Sequence, residues 1–90
     1  MQTFFININQ TLNKSHQEVT EKLAHICQLK GYAINLIHGN TIIEITGYLT
    51  PINIFWHYMN QCLRSETPSM RLEIHQVPLL LRFRSFETNF

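Results

Sequence analysis

Ninety residues with a formal net charge of +1 make one domain, residues 1–90, able to bury roughly 60–65% of the surface its unfolded chain exposes. A balance that close to neutrality excludes a duplex-binding footprint spread over the whole domain, and no apolar run nears the ~18–20 residues of a membrane span. The hydrophobic fraction of 44% excludes disorder, while charged residues make up only 14%, well under the usual value of about 25%.

A surface that poor in charge is covered by Asn, Gln, Thr and His, or by a partner. Cys27 and Cys62 have no thiol or metal-ligand spacing around them and read as small buried hydrophobes in a reducing compartment. The opening MQTFFININ lacks the basic region and long apolar run of a secretion signal. A cytoplasmic location is the expectation.

The first strand spans Thr3–Asn9, where Phe4, Ile6 and Ile8 alternate against Thr3, Phe5, Asn7 and Asn9. Ser15 with Glu18 three residues on forms a capping box and sets the start of the first helix. Val19, Leu23, Ile26, Cys27 and the stem of Lys30 recur at helical spacing, and Gly31 closes the helix. Tyr32–Leu49 is then a hairpin, two alternating apolar runs around a two-residue Gly39-Asn40 loop. That loop sets Tyr32, Ile34, Leu36, Ile43 and Ile45 on one face, and Ala33, Asn35, Glu44 and Thr46 on the other.

Thr50-Pro51 opens the second helix, which runs to about Arg64. Ile52, Phe55, Trp56, Met59, Cys62 and Leu63 form its stripe, with Ile54 and Tyr58 on a different side. Ser65–Ser69 is a turn, and Met70, Leu72 and Ile74 alternate with Arg71, Glu73 and His75 in a fourth strand that Pro78 ends. Leu79–Phe86 reads as a fifth strand or an extended arm, and Glu87–Phe90 as a frayed tail.

The order β-α-β-β-α-β resembles the ferredoxin-like superfold over Thr3–Val77. Right-handed crossovers make that order an α+β two-layer sandwich with both helices on one face of an antiparallel sheet, here with an extra C-terminal strand or arm over 79–86.

Chemistry is harder to find. The open sheet face is expected to carry Phe5, Asn7, Asn35, Ile37, Ile42, Glu44, Thr46, Arg71, Glu73 and His75, without the aromatic motif of RNA-binding sheets. The histidines His16, His25, His38, His57 and His75 form no metal-ligand pair, and the chain has no Asp. Gly31, Gly39 and Gly47 are scattered rather than gathered in a phosphate loop, and no nucleophile–base spacing occurs.

The expectation is therefore a small protein without catalytic residues, metal or cofactor. It reads as a protein–protein interaction or regulatory module, adaptor-like or inhibitor-like. It would self-associate as a homodimer through Ile54 and Tyr58 of the second helix and Leu79, Leu81 and Phe83 of the arm. One alternative is a nucleic-acid-binding protein using Phe5, Arg71, Arg82 and Arg84. A second is a dimeric small-molecule-sensing domain whose polar groups are Asn35, Glu44 and His75.

Overall fold

In the computed structural model, residues 1–78 and 83–90 are described. The elements are β1 (Gln2–Ile8), α1 (Lys14–Ile26), β2 (Lys30–Asn35), β3 (Thr41–Gly47), α2 (Leu49–Glu66), β4 (Leu72–Val77) and β5 (Phe86–Asn89). Among the described residues no helix is long and apolar enough to cross a membrane.

Five strands form one sheet in the order β4-β1-β3-β2-β5. β1 runs antiparallel to both β3 and β4, β2 antiparallel to β3, and β5 parallel to β2 along the far edge. The strands bury Ile6, Ile8, Ala33, Ile43, Ile45 and Phe86 on one face, where they meet Ile52, Phe55, Met59 and Leu63 of α2 and Ala24 of α1. This is the ferredoxin-like α+β sandwich with one strand added.

Several local features differ from the sequence expectations. The cap of α1 is Asn13, whose side chain accepts the His16 N–H at 2.8 Å, not Ser15. The helix ends earlier, with Cys27 as its cap and Gln28 in the left-handed conformation (φ 55°). Gln28 N–H donates to His25 O and Leu29 N–H to Ala24 O, the pair of bonds that closes a Schellman turn. Gln28 thus takes the position expected of Gly31.

Gly31 has a different task inside β2. Its φ is 139°, and a Cβ there would lie 1.8 Å from the Glu44 carbonyl oxygen. This contact belongs to a pairing of Gly31 with Ile45 and Asn35 with Thr41, three residues away from the two-residue-loop register. The connection is the stretch 36–40, held by Leu36 N–H to Asn40 O (2.7 Å) and Gly39 N–H to Leu36 O (3.0 Å). Because an odd slip exchanges faces, Tyr32 and Ile34 sit on the open face, while Ala33 and Asn35 face the helix layer. The close approach at Gly31 is to the backbone of β3 within the sheet, at Glu44 and Ile45, and only a residue without a side chain fits there.

The C-terminal expectation also moves. The fifth strand is Phe86–Asn89, which takes only the last residue of the expected arm and otherwise lies in the Glu87–Phe90 stretch expected to fray. Phe86 is buried, and Gly31 N–H donates to Ser85 O at 3.0 Å. Leu79, Leu81 and Arg82 lie outside the described residues.

Candidate active site

One end of the molecule gathers polar groups from three separate stretches. β1 ends there, residues 9–13 lead into α1, and β2 hands over to β3. Asn35, the last residue of β2, is half-buried with its side chain against the 9–13 connection. Its Oδ1 accepts from the Leu12 N–H at 3.3 Å and lies 2.6 Å from Thr41 Oγ1. Its Nδ2 is 3.5 Å from Leu12 O, at the outer limit of a hydrogen bond. That amino group retains N–H capacity for a ligand or water.

Thr41 is buried, and its hydroxyl sits 2.8 Å from Gln10 O as well as 2.6 Å from Asn35 Oδ1. A hydroxyl has one proton. At any moment one of these two oxygens is left to accept from elsewhere. Gln17 fixes the same connection from α1, its Nε2 donating to Leu12 O at 2.8 Å. The connection is thereby braced from β2, β3 and α1 at once.

Charge comes from the start of α1. Lys14 is exposed in its first turn, next to backbone N–H groups that no helical carbonyl can reach. Behind it, His16 is buried and its Nε2 lies 2.6 Å from Oε2 of the exposed Glu66, tying the start of α1 to the end of α2. The arrangement offers donors and one ammonium group to an anion, with a carboxamide and a hydroxyl beside them to hold a water.

On the open face of the same end lies a depression of about 130 Å³, lined by Asn7, Asn9, Asn40, Arg71 and Glu73. Further along that face, burial pushes the Glu44 carboxyl above its ordinary value. Burial, and then the charge of Glu44, raise the neighbouring Tyr32 hydroxyl. Burial also pushes the Cys27 thiol up, which leaves it a packing residue.

Among the described residues of the expected interaction site, Ile54 and Tyr58 do not converge with Phe83. Ile54 and Tyr58 are each 55% exposed on the outer side of α2. Phe83 instead packs edge-on against Tyr32, ring centres 5.8 Å apart, on the sheet side of the molecule. Leu79 and Leu81 fall among the residues outside the description. Of the nucleic-acid set, Phe5 sits mid-sheet opposite Glu44 and His75. Arg71 precedes β4 and Arg84 precedes β5, at opposite edges and opposite ends of the sheet.

The polar trio is also separated. Glu44 and His75 flank Phe5 on the open face, while Asn35 lies on the helix side, a correction that follows from the register. Sequence reasoning picked out Asn35 and missed Gln10, Leu12, Lys14 and Thr41 as its companions. The available signal was the helix cap Asn13, which fixes where the connection meets α1.

No protein-family model and no curated protein matches this chain. Solved structures do. The acylphosphatase of Bacillus subtilis superposes with a TM-score of 0.80 at 14% identity, covering 100% of both chains. An acylphosphatase from Coxiella burnetii gives 0.76 at 16% identity over 98% of this chain and 92% of its own. Full-length HypF, in its phosphate- and nucleotide-bound form, gives 0.77 at 20% identity over 99% of this chain but only 12% of HypF. The fold is acylphosphatase-like. Full-chain likeness to two acylphosphatases overturns the expectation of a non-catalytic adaptor-like or inhibitor-like module.

Proposed function

We propose that this chain is a hydrolase of the acylphosphatase kind, cleaving small acyl phosphates at the braced connection between β1 and α1. The observation that carries the reading is the superposition on the Bacillus subtilis acylphosphatase, complete in both chains. The local geometry supports it, since anion-directed donors and a water-holding carboxamide meet there.

The chemistry asks little of acid–base groups. Water oxygen bonds to phosphorus while the bond from phosphorus to the acyl oxygen breaks, giving a carboxylate and dihydrogen phosphate, which then loses a proton. A carboxylate is a good leaving group and needs no general acid. Positioning and charge stabilisation supply most of the rate in phosphoryl transfer. Lys14 and the first-turn N–H groups meet the phosphoryl oxygens, and Asn35, held by Leu12 and Thr41, orients the water. Both cysteines, Cys27 and Cys62, are free, in keeping with work in the reducing cytoplasm.

Benzoyl phosphate is the direct test. The purified chain is expected to hydrolyse it with saturation kinetics, and Asn35→Ala to lower kcat about 100-fold, the scale of losing one aimed donor. Replacing Lys14 with Met raises KM. Hydrolysis no faster than the uncatalysed background, with the chain folded, overturns the reading.

A further inference from the structure

The bond between His16 and Glu66 has a task that helix stability does not ask of it. His16 is the third residue of α1, and its buried ring brings Nε2 to 2.6 Å from Oε2 of Glu66. An ionised carboxylate only accepts, so Nε2 carries the proton and donates. Glu66 is the last residue of α2, and its side chain is 59% exposed. An acidic group in that place is opposed by the unpaired carbonyls of its own helix. The buried donor of His16 accounts for the carboxylate where α2 itself does not.

The connection that follows α2 touches the candidate active site at two further points. Gln10 Nε2 donates to Ser69 Oγ at 3.0 Å. The Arg71 N–H donates to Asn9 Oδ1 at 2.8 Å, and the Asn9 N–H donates to Arg71 O at 3.2 Å. Met70, between them, is buried in the core. Residues 66–71 therefore run beside residues 9–16 and are fixed to that stretch at both of its ends.

The His16 end governs the first turn of α1. The His16 N–H is taken by Asn13 Oδ1, and the Gln17 N–H by Asn13 O. The Lys14 and Ser15 N–H groups, with the Lys14 ammonium, are then the donors an anion would meet. Both residues are exposed, and their direction follows the turn that carries them. A ring held at Nε2 fixes that turn from inside the fold.

We infer that Glu66 is a positioning residue of the hydrolase, holding the first turn of α1, through His16, at the angle that binds the phosphoryl group. The inference rests on the proposed hydrolase. The first-turn donors meet the phosphoryl oxygens in ground state and transition state alike, so misplacing them weakens binding and leaves the chemical step unchanged.

Benzoyl phosphate kinetics of Glu66→Ala and Glu66→Gln test it. Glu66→Ala removes the acceptor and is expected to raise KM about tenfold, the scale of a charge-assisted hydrogen bond, with kcat within about twofold of the parent. Inorganic phosphate, as a competitive inhibitor, weakens by the same factor. Glu66→Gln keeps an acceptor oxygen and loses the charge, and its KM is expected to stay within about threefold of the parent. A role in stability alone would lower kcat through the folded fraction and leave KM as it was. A role through charge alone would lower KM in both variants, since each removes a negative charge from that end of the molecule. Either pattern, or kinetics unchanged in both variants, overturns the inference. If the parent does not hydrolyse benzoyl phosphate, the hydrolase reading fails, and the positioning is decided by inorganic phosphate followed by nuclear magnetic resonance at the Lys14 and Ser15 amides. Weaker binding by Glu66→Ala than by the parent and Glu66→Gln sustains it. Equal affinities, or no response to phosphate in the parent, overturn it.

Discussion

The two helices lie on the same face of the sheet and follow different rules. α2 buries Ile52, Phe55, Met59 and Leu63 of its apolar stripe, with Trp56 and Cys62 half-buried beside them. α1 buries His16, Thr20 and Ala24 and leaves Ile26 77% exposed, with Val19 and Leu23 only half covered. α2 packs against the middle of the sheet, whereas α1 reaches the β5 edge, where Glu21 takes the Thr88 hydroxyl at 3.2 Å. The polar atoms of α1 are satisfied where they are buried. Thr20 Oγ1 donates to His16 O at 2.8 Å, and His16 meets Glu66. A satisfied polar group removes the main penalty against burial.

This difference has a measurable size. Phe55→Ala removes a fully buried ring from α2 and should cost about 3–5 kcal/mol, enough to unfold much of a domain this small. Thr20→Ala, at an equally buried place on α1, should cost only about 1 kcal/mol, because the hydroxyl's net contribution is small and the cavity is one methyl wide. Urea denaturation of the two variants compares them directly. Equal losses would break the contrast and make α1 as strongly packed as α2.

The same contrast explains how far the sequence could be read. α2 was legible because large apolar residues at helical spacing are the ones it buries. The element order followed from strand alternation, and β1 sorted its faces as Phe4, Ile6 and Ile8 require. The face of α1 was not legible. Val19, Leu23 and Ile26 carry the stronger periodic signal, while the buried face presents His16, Thr20 and Ala24, whose polar side chains find their partners only in the fold.

The register of β2 on β3 failed for a similar reason. Two registers sort the apolar residues acceptably, and only the lack of room for a Cβ at Gly31 separates them. The strand Phe86–Asn89 has no clear alternation and is fixed by a parallel pairing more than 50 residues away along the chain. The candidate site was hidden because half of its groups are backbone atoms of Gln10 and Leu12, which carry no sequence signature.

Glu44 sharpens the contrast as a buried polar residue of another kind, on the open face. Its carboxyl is raised above 4.5 by burial, so ionising it costs more in the folded chain than in the unfolded one. A raised folded value contributes stability that is fully present below the unfolded value and lost as pH rises through the folded one. Glu44→Gln should therefore be more stable than the parent at neutral pH. Its advantage should fade as the pH falls through the raised folded value and be gone once the pH is below the unfolded one. Thermal melts across that range check the sign, and an advantage that grows in acid would show the carboxylate to be stabilised by its surroundings.

Ile26→Lys is the smallest effect and the closest test of which way α1 faces. At 77% exposure the isoleucine contributes little to the core, so lysine should change stability by no more than about 0.5 kcal/mol. The lysine also places a cation in the last turn, where it interacts favourably with the helix carbonyls. The same substitution at Ala24, on the buried face, should abolish folding. A loss above 1 kcal/mol at Ile26 would mean that the apolar stripe of α1 is covered in solution, and the two helices would then follow one rule after all.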